Sequence, residues 1–342
     1  MFIIITCLQY LGNMKVKDVI SDGCTVAGCS LGVGFLCGKE AQVFVGNFAN
    51  AAIFALCFFV ATLLLRNFCL QKKCFCTRAF CESCFCGLKT VFYALFCACC
   101  FVCAVTALSA LQQVLQSFLF QTSLPLFSVV AALISAAVLK SGMKTLKILN
   151  VVSVALCVLY VVFVAICAKT PCQQLNVAPS KPVKYAFFSV TVSLAVLAPL
   201  SKTSAKQNFW ASLLATAILG GLTCAIICFA DFSLQTPFFV PNNLPLQIFG
   251  AVALLIATVT GVVANALPVV QSAVGVLEDK TLGLLCVFCL AVVFSTLGFD
   301  FILDYGYLFV AAVGVCVTLF VAVQLAAERI RCKKHKKNFA RF

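Results

Sequence analysis

Residues 28–40 form a glycine-rich segment inside the first apolar stretch of the chain and read Gly-Cys-Ser-Leu-Gly-Val-Gly-Phe-Leu-Cys-Gly-Lys-Glu. Glycine lacks a Cβ atom and lets the backbone leave helical geometry. In a membrane, the backbone groups freed in this way are tolerated only where protein or a water-filled cavity satisfies them. The segment therefore predicts a first helix interrupted beside a cavity, an arrangement typical of transporters. The alternative is close helix packing, since Gly28, Gly32 and the pair Gly34/Gly38 have the four-residue spacing that permits it.

A second group of polar residues lies in the sixth apolar stretch, where Ser189, Thr191 and Ser193 alternate with apolar residues and Pro199 follows. Three hydroxyls at alternate positions do not share one face of a helix. They reach a common ligand only if the helix is unwound there. The alternative is structural, because each hydroxyl can bond to a carbonyl one turn earlier.

Composition defines the class of protein that contains these residues. The chain has 342 residues, of which 63% are hydrophobic and 10% are charged, with a mean hydropathy of +1.13. Soluble domains carry about 25% charged residues, so a large soluble protein is excluded. The apolar runs are continuous, whereas the strands of a β-barrel alternate. We predict a single all-α transmembrane domain with ten spans, at 18–38, 42–65, 90–112, 124–140, 147–168, 183–201, 208–230, 245–266, 281–299 and 305–327.

The charge distribution sets the predicted orientation. With ten spans and both termini in the cytoplasm, only Lys39, Lys169, Lys181 and Lys184, of 24 basic residues, fall on the outer side. This bias is typical of multi-pass proteins. The formal net charge of +14 then needs no nucleic-acid partner, because anionic lipid headgroups on the cytoplasmic face are sufficient. The basic tail, residues 328–342, is predicted to anchor this topology, with His335 solvated.

Three motifs carry a resemblance to a known family. Gly32-Val-Gly34-Phe35-Leu-Cys-Gly38-Lys39-Glu40 resembles the opening signature of the YkvI-like bacterial membrane proteins. The segment 142–150 resembles that family's approach to its fifth helix, and 295–299 with 304–307 resembles its ninth-to-tenth helix passage. The similarity covers roughly residues 15–325. Lys39 stands where the signature usually has glutamine, and the sixth span lacks the glycine break of sodium-coupled relatives.

The YkvI-like family is similar to the amino acid–polyamine–organocation superfamily, and the resemblance implies that superfamily's LeuT fold. Two inverted five-helix repeats would comprise residues 18–168 and 183–327, with helices 1 and 6 discontinuous. The expected function is secondary transport of a small amino acid or amine by alternating access, in the bacterial cytoplasmic membrane. Sodium or proton coupling is the expected energy source, and no cofactor is expected. The alternative is a nutrient receptor or signalling subunit of the same fold that binds solute without moving it.

The resemblance also implies site residues. The expected substrate-binding residues are Gly28, Ser30, Leu31, Gly32, Val33, Gly34, Phe188, Ser189, Thr191 and Ser193. The expected ion-binding groups are the carbonyls near Gly28 and Leu31 with the hydroxyls of Thr258 and Thr260. A substrate carboxylate would meet the backbone N–H groups near Gly32 and Gly34. Asn265, near the end of the same span as the threonines, has the alternative role of satisfying a kink before Pro268.

Other groups that could carry chemistry are few. Asp22 and Glu40 are candidates as intramembrane carboxylates, or are solvated at an interface. No set of nucleophile, base and orienting residue appears, so we do not expect an enzyme. The segment 66–89, predicted as a cytoplasmic loop, holds six of the 24 cysteines. A zinc site at Cys74, Cys76, Cys81 and Cys84 is one interpretation, and cysteine-rich composition without a metal is the other. Residues 1–13 fit no signal peptide.

Overall fold

Long apolar helices make up most of the chain. The computed structural model describes residues 16–118, 124–167, 174–230 and 244–339, and no strand occurs in these ranges. Seven helices are long and apolar enough to cross a membrane. The protein is therefore a multi-pass helical membrane protein. Residues 1–13 and 340–342, on which two of the predictions fall, lie outside the described residues.

The helices are numbered here in chain order. They are α1 Val16–Ser30, α2 Val33–Leu36, α3 Phe48–Lys72, α4 Thr77–Phe85, α5 Lys89–Phe118, α6 Leu126–Ser141, α7 Met143–Cys167, α8 Ser180–Leu200, α9 Ala205–Phe229, α10 Leu244–Leu277, α11 Lys280–Ser295 and α12 Phe299–Phe339. A π-helical turn occupies Ala41–Val45 and a 3₁₀ turn occupies Cys86–Leu88.

The predicted spans correspond to these helices, although not all of the helices are long. The first span is divided between α1 and α2, whereas α6 and α11 are apolar but contain only 16 residues each. These two short helices pack against each other. A shallow apolar groove between them is lined by Val129, Leu133, Leu285, Phe288 and Val292. The ten-span count and the inverted repeat stay predictions.

Helix α1 lies at the centre of the helix packing. It contacts α7, α8, α9 and α10, and most of its residues beyond Ser21 are buried. Its 15 residues extend about 22 Å, short of the roughly 30 Å hydrocarbon core. In the predicted first span, α2 and the turns that follow it would supply the rest of the crossing.

Helix packing also relates the two halves of the chain. If α1–α2, α3, α5, α6 and α7 are matched in order with α8 to α12, the first four helices each contact their counterparts: α1 with α8, α3 with α9, α5 with α10 and α6 with α11.

Helix α8 corrects one prediction. It runs from Ser180 to Leu200 without a break, although the sixth span was expected to be discontinuous. The continuous helix accommodates the hydroxyls: Thr191 Oγ1 donates to the carbonyl of Phe187 at 2.8 Å, and Ser193 Oγ donates to that of Val190 at 3.0 Å. Each hydroxyl therefore bonds within its own helix.

The predicted cytoplasmic loop 66–89 is also largely helical. Residues 66–72 continue α3, and residues 77–85 form the separate helix α4. Gln324 Nε2 on α12 donates to the carbonyl of Cys84 at 2.9 Å, and Lys72 forms an ion pair with Glu328. These contacts hold the segment against α12.

A buried charge cluster fixes the N-terminal half of α1. Asp22 is only 2% exposed, and its carboxylate accepts from Lys147 Nζ on α7 at 2.8 Å. The fully buried guanidinium of Arg66 on α3 lies 3.7 Å from the other oxygen of Asp22. Arg66 also donates to Asn208 Oδ1 at 3.1 Å and to the carbonyl of Leu200 at 3.3 Å. The cluster thus joins α1, α3, α7, α8 and α9, and Asp22 is not solvated at an interface.

Removal of this carboxylate would be costly. We expect Asp22→Asn to destabilise the protein by about 3 kcal/mol, because Arg66 would remain buried without a counter-charge. The melting midpoint of the detergent-solubilised protein measures the effect. Glu82→Gln, at an exposed pair with Arg78, is the control and should change stability by less than about 0.5 kcal/mol. Equal midpoints for Asp22→Asn and the unmutated protein would contradict the assigned role.

The double variant Asp22→Asn/Arg66→Gln provides an independent check. If the two side chains interact as described, the combined loss of stability should be clearly smaller than the sum of the two single losses. Additive losses would show that the pair contributes no coupling.

Candidate functional site

The interruption of α1 is the starting point of the site. The helix ends at Ser30, and the N–H of Gly32 donates to the carbonyl of Ser30 at 3.1 Å rather than to the carbonyl four residues earlier. After α2, Gly38 has φ 84° and turns the chain away. That left-handed conformation suits glycine. The predicted break in the first helix is therefore present. Glu40 lies just after the turn at Gly38.

The segment after the break is held in place by backbone and amide hydrogen bonds. Gly46 (φ 72°) closes the π-helical turn, and its carbonyl accepts from the N–H of Leu175 at 2.8 Å. Asn47 caps α3 by accepting from the N–H of Asn50 at 2.9 Å. Asn50 Nδ2 donates to the carbonyls of Val45 and Val177, each at 2.9 Å. The chain between α2 and α3 is thereby fixed inside the protein.

Glu40 is buried by this arrangement, with only 3% of its surface exposed. The hydroxyl of Tyr185 on α8 donates to Oε2, and the hydroxyl of Tyr307 on α12 donates to Oε1. The interpretation of Glu40 as a solvated interfacial residue is therefore wrong. A carboxylate this deeply buried needs hydrogen-bond donors or a positive charge.

A small cavity of about 30 Å³ adjoins the break and Glu40. Its polar lining comes from Ser30, Glu40, Thr106, Asn265 and Tyr307, on or next to four different helices. Cys29, Gly32, Gly34, Cys103, Ala107, Ala110, Phe188, Val192, Gly261 and Phe299 complete the wall. The volume suffices for about one or two water-sized groups.

Aromatic rings close one side of the cavity. The rings of Phe188 and Tyr307 stack with centroids 3.8 Å apart, and Phe44 stacks on Tyr185 and Tyr307 at 5.3 and 5.4 Å. Beyond these rings lies a larger pocket of about 230 Å³ that also contacts Lys181, Lys184 and Asp304. The rings thus form a thin layer between the cavity and this pocket.

Lys39, next to Glu40 in sequence, points to another partner. Its ammonium forms an ion pair with Asp300 at the start of α12, and it lies 5.6 Å from the centre of the Phe299 ring. Asp300 also accepts from Gln113 Nε2 of α5 at 3.1 Å. The pair bridges the end of the interrupted first helix to α5 and α12.

The expected substrate residues divide into two groups. Ser30, Gly32, Gly34 and Phe188 line the cavity. Gly28 instead packs against α7, where a Cβ atom would come within 3.0 Å of Asn150 Cγ. Leu31 is fully buried, and the side chain of Val33 lies outside the described part of the structure.

The three hydroxyls of α8 do not line the cavity. Thr191 Oγ1 and Ser193 Oγ bond within the helix, and Thr191 also approaches the carbonyl of Val310 at 3.5 Å. Ser189 contributes its carbonyl, which accepts from Ser30 Oγ at 3.2 Å. This bond joins the end of α1 directly to the middle of α8.

The hydroxyls of the expected ion ligands on α10 also bond within their own helix. Thr258 Oγ1 donates to the carbonyl of Leu254 at 2.7 Å, and Thr260 Oγ1 donates to that of Ala257 at 2.9 Å. Both are buried, and neither contributes to the cavity wall. Their role in ion binding stays a prediction.

The sequence analysis did not assign Tyr185 and Tyr307 to the site and gave Asn265 only a structural role. The two tyrosines carry hydroxyls inside otherwise apolar helices, and a buried hydroxyl usually needs a partner. That pattern identifies them as polar groups that need a hydrogen-bond partner. It does not identify Glu40 as the partner, because the bonds connect residues 145 and 267 positions apart.

The cysteine-rich segment does not form a metal centre among the described side chains. Cys74, Cys81 and Cys84 are buried and Cys76 is exposed, and no three described histidine, cysteine or acidic side chains are placed to hold one ion. Metal ligation requires a thiolate. Burial raises the pKa of Cys81 to about 12 and disfavours that form, whereas a hydrogen bond with the side chain of Cys69 lowers the pKa of Cys74.

Comparison with known proteins adds no assignment. The chain matches no protein-family model and no curated protein at a significant level. The resemblance to the YkvI-like family stays a prediction.

Two glycines at the break should differ in their tolerance of a side chain. A Cβ on Gly34 would lie 2.8 Å from both the carboxyl carbon of Glu40 and the ring of Phe299, whereas a Cβ on Gly32 would have Glu40 Oε1 at 3.8 Å as its nearest neighbour. We expect Gly34→Ala to destabilise the protein by about 1–3 kcal/mol through overpacking. Gly32→Ala should leave the melting midpoint nearly unchanged. The reverse order of midpoints would contradict the described geometry.

Proposed function

We propose that this protein is a secondary transporter that moves a small solute across the membrane by alternating access. The observation that carries the proposal is the interrupted first helix, whose break opens on a small cavity lined by Glu40 and by helices α5, α8, α10 and α12. Interrupted helices that face a cavity at the interface of two repeats are typical of transporter binding sites.

The packing of the two halves supports this proposal. Helix α1 contacts α8, α3 contacts α9 and α5 contacts α10, the pairing expected of a five-plus-five inverted repeat. The LeuT fold, with both termini in the cytoplasm, is part of the proposal. The uninterrupted α8 makes this chain different from the expected pattern, because the site would rest on one broken helix rather than two.

The two ends of the site suggest how access would alternate. On one side, the stacked rings of Phe188 and Tyr307 separate the cavity from the larger pocket, and the Lys39–Asp300 pair joins the end of the interrupted first helix to α12. On the other side, the Asp22–Arg66–Lys147 cluster joins α1 to α3 and α7. These two sets of contacts are the candidate gates of the proposed cycle.

Uptake into proteoliposomes tests the proposal. Purified protein would be reconstituted and offered radiolabelled amino acids and amines, under a sodium gradient, a proton gradient or neither. Accumulation above protein-free liposomes that depends on one gradient would support transport and identify the coupling ion. Saturable binding of a solute without any flux would contradict transport and support a solute receptor of the same fold.

A side chain placed in the cavity should abolish uptake without unfolding the protein. Gly32 lies on the cavity wall and has an ordinary negative φ, so Gly32→Leu places its side chain in the roughly 30 Å³ space. We expect uptake to fall at least about tenfold through steric exclusion. Gly221→Leu is the matched control, because Gly221 has no neighbour within 4 Å of an added Cβ and is exposed on α9. Normal uptake by Gly32→Leu would count against this cavity as the binding site.

A further inference from the structure

The cavity contains two hydrogen-bond acceptors that the protein leaves incompletely satisfied. The first is the buried carboxylate of Glu40, which forms no ion pair with any lysine, arginine or histidine in the described part of the chain. The second is Asn265 on α10, which is 2% exposed. Its Nδ2 donates to the carbonyl of Gly261 at 2.8 Å, and its Oδ1 has no partner among the described residues.

The orientation of the Asn265 amide follows from its neighbour. Exchange of its nitrogen and oxygen would bring two oxygens to 2.8 Å at the Gly261 carbonyl, which is repulsive. The oxygen is therefore the free atom. A buried acceptor without a donor costs about 1–3 kcal/mol, so its presence in a cavity wall points to a ligand that supplies the donor.

The hydroxyl donors around the cavity are already used. Ser30 Oγ lies 3.2 Å from the carbonyls of both Val26 and Ser189. Thr106 Oγ1 donates to the carbonyl of Val102 at 2.7 Å, and Tyr307 donates to Glu40. The cavity therefore offers a ligand mainly acceptors, among them the Glu40 carboxylate, whose two oxygens each accept from a tyrosine hydroxyl.

Among the described residues, no lysine, arginine or histidine side chain forms an ion pair with Glu40. The ionisable groups that face it are Tyr185 on α8, Tyr307 on α12, Cys37, and Cys103 on α5. Lys39 is adjacent in sequence, but its ammonium is held by Asp300. A buried carboxylate with hydrogen-bond donors and no counter-charge is well suited to a cationic ligand.

We infer that the cavity binds a cation that carries N–H donors, the ammonium group of a small primary amine, between Glu40 and Asn265. This inference rests on the proposed function, since it names the ligand class of the same site. A cavity of about 30 Å³ accommodates an ammonium or methylammonium head, and a larger amine would require the ring layer to open.

The same geometry argues against an anionic ligand at the break. A substrate carboxylate near Gly32 and Gly34 would meet the carboxylate of Glu40, which already packs against Gly34. The N–H of Gly32 is also occupied by the carbonyl of Ser30. The expected anion site is thus replaced by one that favours a positive charge.

Ligand binding to the purified full-length protein tests the inference. The probes are methylammonium, tetramethylammonium, acetate and alanine, with melting midpoint and equilibrium binding as readouts. Methylammonium should raise the midpoint, since a ligand that binds the folded state stabilises it. Tetramethylammonium has the same charge without N–H donors and should bind at least about tenfold more weakly. Acetate should not bind.

Two variants connect the binding to the named residues. Glu40→Gln should weaken methylammonium binding at least about tenfold, and Asn265→Leu should weaken it by a smaller factor. Glu82→Gln removes an exposed carboxylate far from the cavity wall and should bind like the unmutated protein. If Glu40→Gln does not fold, Asn265→Leu and the tetramethylammonium comparison still decide the question.

The opposite results would overturn the inference. Unchanged binding in folded Glu40→Gln would do so, as would tighter binding of acetate or alanine than of methylammonium, or no binding of any probe.

Proteoliposome uptake separates this inference from the proposed function. Methylammonium binding without flux would leave the amine site standing and reject transport. Flux of alanine or acetate without methylammonium binding would support transport and reject the amine site.

Discussion

The structure depends on how the protein satisfies the backbone where its first helix ends inside the helix bundle. Lipid offers no hydrogen bonds, so polar groups released between Ser30 and Val33 have to find partners within the protein. This requirement explains why α1 is surrounded by α7, α8, α9 and α10 and why Ser30 reaches across to the carbonyl of Ser189. The enclosure that satisfies the break also creates the cavity beside it.

The buried Asp22–Arg66–Lys147 cluster and Glu40 lie near opposite ends of one helix. Helix α8 connects them: its end at Leu200 accepts from Arg66 of the buried cluster, and Tyr185 near its beginning donates to Glu40. Fifteen helical residues separate these positions, or about 22 Å along the helix axis. Because α8 is continuous, a displacement at one end is transmitted to the other as a rigid body.

The helical class and the break in the first helix were predictable from local features, whereas the polar contacts of the site were not. Continuous apolar runs locate the helices, and the glycines with the closing Lys39-Glu40 pair locate the interruption. The hydroxyl pattern of Ser189, Thr191 and Ser193 was ambiguous, because the same residues suit an unwound segment or a helix with internal hydrogen bonds. Local context placed Glu40 at the end of an apolar span. Its burial depends on Tyr185 and Tyr307, which only the tertiary fold brings together.

The two short helices have a consequence for the surrounding lipid. At 16 residues, α6 and α11 each extend about 24 Å, roughly 6 Å less than the hydrocarbon core of a typical bilayer. They pack together, so in the proposed ten-span arrangement the shortfall would be concentrated at one side of the molecule rather than distributed around it. The adjacent leaflets would have to thin there, at a cost of fractions of a kcal/mol for each ångström. The protein would therefore be more stable in a thinner bilayer, and it would deform a thick one asymmetrically.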